Sequence, residues 1–179
     1  MAEEKKEQWT TYLALTTVLI AVCATLSTFK GGGYGSKSLM NQTKASDQWA
    51  FYQAKGIKSY LFENQIDNLE IQKDLIAKTP NAKETLDKYQ AKIDAYKKKL
   101  AQYDNDKAAI KKTAEAFIKD GEICKKHGDA FGIAVIFLQI SILLSSIAAL
   151  TKRKMVWYFS LLVGIAGVFY FFNGFFLFA

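Results

Sequence analysis

Proline is almost absent: Pro80 is the only one in 179 residues. A chain this poor in the residue that interrupts helices, and without alternating strand patterns bounded by turn clusters, is expected to be mainly helix. Histidine is equally scarce. His127 stands alone, which excludes a His-rich metal site. The two cysteines, Cys23 and Cys124, share no motif, so neither a disulfide framework nor a metal centre is expected. Charge is missing from long stretches. Half the residues are hydrophobic and 23% are charged, and the two classes are segregated: every charged residue falls in 1–7, 30–129 or 152–154.

The uncharged stretches are long. After a charged start (1–8), residues 9–29 read WTTYLALTTVLIAVCATLSTF. As helix this run rises about 31 Å, the thickness of a bilayer's hydrocarbon core. Trp9 and Tyr12 sit where an interfacial aromatic belt would lie. A cleaved signal peptide is the rival assignment. Val22 beside Cys23 makes a poor lipoprotein cleavage site, so a retained transmembrane helix is expected. Residues 130–150 and 156–178 give two further uncharged runs, joined by a basic turn at 151–155.

Between these runs, residues 30–129 are expected to form a helical hairpin. Gly31, Gly32, Gly33 and Gly35 suggest a flexible helix break at the membrane surface. They lack the preceding strand and the lysine and hydroxyl spacing of a phosphate-binding loop. Ser36 or Ser38 can cap a helix over about 36–78, whose apolar stripe is broad near its start and calls for more than one neighbour. Thr79-Pro80 marks the bend, with Pro80 suited to the first position of a second helix over about 80–120. Residues 121–128 form the expected re-entry joint.

The second helix carries a heptad seam: Ala82, Leu86, Tyr89, Ile93, Tyr96, Leu100, Tyr103, Ile110, Ala114 and Phe117, interrupted only by Lys107. This spacing belongs to a helix packed lengthwise on another. The fold class is thus all-α: three transmembrane helices plus an extramembrane, antiparallel, coiled-coil-like hairpin. Such a hairpin has little core of its own, so the seam (Leu86, Tyr89, Ile93, Tyr96, Leu100, Tyr103, Ile110, Phe117) is expected to join hairpin helices or copies of the chain. Lys73 falls on the opposing stripe and would have to snorkel.

Nothing in the pattern carries catalysis, a cofactor or a metal. The hairpin carboxylates alternate with lysines in pairs such as Glu84 with Lys88 and Asp94 with Lys98, ordinary surface pairs. His127, near Cys124, reads as an interfacial polar residue. The net charge of +7 is spread among acids along helices, which fits a solvated face or anionic lipid rather than nucleic acid. Inside the spans no residue is ionisable, so a proton or ion path is not announced. Gln139, Asn173, Ser145 and Ser146 are polar groups inside the runs, expected to hydrogen-bond between helices. Gly164 and Gly167 admit a close neighbour, and the dense aromatics of the last span suggest packing on other subunits or on lipid.

Lysine and arginine accumulate in short cytoplasmic loops. Lys152-Arg153-Lys154, with Lys5 and Lys6, therefore places the N-terminus in the cytoplasm and the hairpin on the far side. Around Lys44-Ala45-Ser46-Asp47-Gln48-Trp49-Ala50-Phe51-Tyr52-Gln53-Ala54-Lys55, the chain resembles a family of small bacterial inner-membrane proteins of unknown function. The resemblance covers the whole order of one span, hairpin and two spans. It implies the bacterial inner membrane, in which the far side given by the basic turn is the periplasm, and it supplies no activity. Asp47, Gln48 and Trp49 form the polar cluster expected at a subunit contact. The expected function is structural: a homo-oligomeric scaffold, or an accessory subunit of a larger membrane complex. The alternatives are an oligomeric pore or transport component and, less favoured, a membrane enzyme.

Overall fold

The computed structural model describes residues 8–80 and 82–178. Lys5 and Lys6 lie outside them. The described chain is three helices: α1 (Gln8–Ile76), α2 (Lys83–Thr151) and α3 (Lys154–Phe176). All three are long and apolar enough to cross a membrane. The two longer helices run 69 residues each.

The expected breaks are not there. Residues 31–35 and 121–128 are helical throughout, so the pieces foreseen at 9–29 and 36–78, and at 80–120 and 130–150, are each one helix. A glycine inside a helix costs only about 1 kcal/mol against alanine, too little to interrupt a helix whose turns are packed on a neighbour. No glycine has positive φ. Gly31 is instead a contact. A Cβ there would stand 3.2 Å from Cβ of Phe131, and one on Gly128 would stand 3.6 Å from the Gly31 carbonyl oxygen. The two backbones approach because neither carries a side chain. Ser38 does not cap a helix start either. Its hydroxyl donates to the Gly121 carbonyl of α2 at 2.9 Å.

The bend also differs in detail. Pro80 lies in the turn and α2 begins at Lys83, where the Leu86 amide bonds the Ala82 carbonyl at 3.0 Å. α1 ends at Ile76 and α2 begins at Lys83, so the connection is longer than Thr79-Pro80 alone. The second reversal is tight: Lys152 adopts left-handed φ (53°) and α3 starts two residues later.

The chain divides into two compact units. The first holds the described residues up to Met40 and from Asp120 onward, narrowing the hairpin from the expected 30–129. It is a bundle of three helical segments, with α1 and α3 parallel and α2 antiparallel to both. Along α2, Phe131, Ala134, Leu138, Ser141 and Ser145 recur at heptad spacing and are fully buried. Small residues of α3 oppose them: Ser160, Gly164, Gly167 and Gly174. The α1 segment completes the core with Ile20 and Ala24 against Ala134 and Leu138, and with Trp9 and Leu13 against Ala148.

The second unit, 41–119, is an antiparallel helix pair. Its centre holds Ala45, Ser59 and Ile66 of α1 with Ile93 and Ala114 of α2. These residues follow the helical period, so each helix buries one stripe.

Two kinds of glycine give opposite predictions. Gly33 has nothing within 4 Å of a Cβ position, whereas a Cβ on Gly167 would lie 2.8 Å from the Leu138 side chain and 3.0 Å from its backbone nitrogen. Gly33→Ala should raise the thermal unfolding temperature in detergent, by the equivalent of about 0.5–1 kcal/mol. Gly167→Ala should lower it. A fall for Gly33→Ala would restore the hinge.

Candidate functional site

Faces of helices, rather than a cluster of reactive groups, are what the side chains build. The seam of α2 is turned toward α1 within the second unit. Ile93 is 1% exposed and Leu86, Tyr89, Tyr96, Leu100, Tyr103, Ile110 and Phe117 are half-buried. The Phe62 ring lies 5.1 Å from Tyr96 and 5.8 Å from Tyr103. The two tyrosine rings, both tilted against Phe62, thus grip a side chain of the partner helix.

Lysines close the flanks of this contact. Lys55 bonds Asp106 at 2.6 Å and lies over the Tyr103 ring at 4.8 Å. Both charges of that pair are about a third exposed, so it contributes at most about 1 kcal/mol. Lys107, the break in the seam, reaches back to Asp104 and over the Tyr52 ring at 5.4 Å. Lys73 snorkels, donating to Gln90 at 2.6 Å. Lys88 pairs with Glu84 as spacing suggests. Asp94 does not take Lys98; it accepts from the Gln90 amide at 2.9 Å, one turn away in the other direction.

A second row on α1 was hidden in the sequence. Ile57, Leu61, Asn64, Asn68, Ile71 and Leu75 follow alternating steps of four and three, and all are exposed. The apolar members are visible in the sequence as part of one broad stripe. Only the burial pattern separates them from the inward row of Ser59, Phe62, Ile66 and Leu69. Near the start of this helical pair, Asp47 is exposed, while Gln48 and Trp49 are half-buried. The Trp49 ring meets Tyr52 edge-on at 5.5 Å.

In the first unit, the polar groups divide between inside and outside. Ser141 donates to the Ser160 carbonyl and Ser145 bonds the Ser160 hydroxyl, each at 2.7 Å and buried. Ser146 faces outward and satisfies itself on the Ile142 carbonyl. Asn173 is buried and partnered. Gln139 points away from the bundle. Sequence spacing places both in apolar runs without saying which turns inward.

His127 has a structural task. Its Nδ1 donates to the Gly174 carbonyl at 2.8 Å, one of the last four carbonyls of α3, which have no partner within the helix. That bond fixes the proton on Nδ1 in the neutral ring. Tyr34 stacks on the imidazole at 4.6 Å and on Phe131 at 6.0 Å. Phe131 in turn fills the space a Cβ on Gly174 would need, at 2.7 Å. Cys124 is a free thiol and takes no part in this arrangement. On the outer side of α1, Phe29, Lys30, Gly33, Ser36 and Lys37 line an open groove of about 640 Å³. Among the described residues no group of three or more His, Cys, Asp or Glu could hold a metal ion.

These features define an all-helical protein with three helices long and apolar enough to cross a membrane. The chain belongs to the family described as a domain of unknown function (DUF4337), whose model matches residues 9–177. No curated protein and no solved structure matches the chain.

Removing the imidazole leaves the Gly174 carbonyl and the Tyr34 face without their partner. His127→Ala is expected to cost about 1–3 kcal/mol, combining one hydrogen bond with one ring contact. Thermal unfolding in detergent measures it, and an unchanged midpoint would remove His127 from the account.

Proposed function

We propose that this protein is an integral membrane scaffold, or an accessory subunit of a larger membrane complex, that assembles with copies of itself in the bacterial inner membrane. Its task in this reading is assembly rather than catalysis. The observation that carries it is the uncovered row on α1. Ile57 and Leu75 are 63% and 66% exposed, as are Leu61 and Ile71 to similar extents. They are interleaved with Lys58, Glu63, Asp67 and Asp74, so in a single chain water rather than lipid surrounds them. An apolar heptad row left open in a charged segment is an interaction surface. A second copy of the same row is the simplest cover. Asn64 and Asn68 at its centre fit this, since a polar residue in a heptad seam sets register and partner number.

The Lys152-Arg153-Lys154 turn supports a cytoplasmic N-terminus and a periplasmic second unit.

Replacing Leu61 and Ile71 by lysine places two charges in the row without touching the inward stripe. Sedimentation of the detergent-solubilised protein should then show dissociation with helical circular dichroism unchanged. A particle mass equal to that of the unaltered protein would exclude the row from assembly. For orientation, alkaline phosphatase fused after Ala179 should be active, since it works only outside the cytoplasm. An inactive but full-length fusion would invert the topology.

A further inference from the structure

The outward face of α2 in the first unit differs from those of its two neighbours. Gly132, Ile136, Gln139, Leu143, Ser146 and Leu150 follow steps of four and three along it, and all are exposed. This row lies on the opposite side of the helix from the buried row of Phe131, Leu138 and Ser145. At its centre stands the Gln139 amide, which makes no hydrogen bond among the described residues. The outward faces of the other helices hold no such amide at mid-span; the exposed Gln8, Tyr12 and Tyr158 lie near helix ends. α1 shows Leu15, Val18, Val22 and Leu26, with the Thr25 hydroxyl spent on its own helix. α3 shows Phe159, Leu162, Ile165 and Phe169.

An unpaired primary amide is costly against hydrocarbon, because lipid offers it neither donor nor acceptor. The amide is also self-complementary: its N–H₂ donates and its carbonyl accepts. Two copies inserted with the same orientation and related by a two-fold axis along the membrane normal bring equivalent positions of one heptad row face to face. Gln139 of each then donates to and accepts from the other. Gly132 and Ser146, seven residues to either side, keep the row narrow, and Gly132 has nothing within 4 Å of a Cβ position inside its own chain. Ile136 and Leu143, 58% and 64% exposed, supply the apolar knobs.

We propose that the Gly132–Leu150 face of α2 is a membrane-embedded contact with a second copy of this chain, centred on reciprocal Gln139–Gln139 hydrogen bonds. It rests on the reading that the protein assembles with itself in a membrane, and it adds a contact distinct from the Ile57–Leu75 row.

The test uses the full chain in native membranes, with Cys23 and Cys124 replaced by alanine. Single cysteines at Ile136 or Leu143 should form a disulfide-linked dimer on mild copper-catalysed oxidation, and one at Ile165 on the outward face of α3 should not. Gln139→Leu should raise the dissociation constant measured in detergent by roughly tenfold or more, as expected for the loss of two intramembrane hydrogen bonds. Gln139 is exposed in the single chain, so this change leaves folding unaffected, and unaltered helical circular dichroism confirms that. If the unaltered protein assembles but Ile136 and Leu143 fail to cross-link and Gln139→Leu associates as tightly, this contact is wrong while self-assembly stands. If the unaltered protein is monomeric, both fall.

Discussion

The rest of the structure depends on how closely α2 and α3 approach. Along their contact the large and small side chains are sorted by helix: Phe131 and Leu138 on α2 face Gly174 and Gly167 on α3. At the other end Ser141 and Ser145 converge on Ser160. In a lipid environment apolar area gives little preference for helix over lipid, so close packing and interhelical hydrogen bonds must hold helices together. A methyl group added at any of these glycines would push the helices apart. It would also weaken the serine bonds a few turns away and lift the His127 imidazole from the α3 carbonyl it caps.

The second unit solves a different problem. In water, two helices can bury only one stripe each. Ile66, Ile93 and Ala114 with the Phe62–Tyr96–Tyr103 rings complete that stripe, and nothing beneath it covers a third or fourth side. The lysines reinforce the pair chiefly through their stems and through cation–ring contacts at Tyr52, Phe62 and Tyr103, since exposed ion pairs contribute little. What the pair does not bury, the Ile57, Leu61, Ile71 and Leu75 side chains, stays exposed in the single chain. In the first unit, the Gln139 amide on the outer face of α2 makes no hydrogen bond among the described residues.

Much of this was legible in the residues. The segregation of charge located the three apolar lengths, and heptad spacing picked out the α2 seam from Leu86 to Phe117 that lies against α1. Gly164 and Gly167 announced a close neighbour correctly. The glycines at 31–35 misled, because glycine in a sequence signals equally a flexible break and a close helix contact. Only the opposing Gly128 and Phe131 decide between them. Polar groups in apolar runs were visible, but their direction was not: Ser145 and Ser146 are adjacent, and one is buried while the other faces out. Likewise Ile57 and Phe62 are both apolar, but five residues apart they lie about 140° apart around the helix and face different sides.

Under the proposed function, a single chain leaves faces that only further copies complete. Native mass measurement of the unaltered protein, extracted with its surrounding lipid in a polymer disc, tests this directly. A protein mass of two or more times 20.1 kDa is predicted. A particle holding one 20.1 kDa chain at concentrations matching the membrane would contradict it.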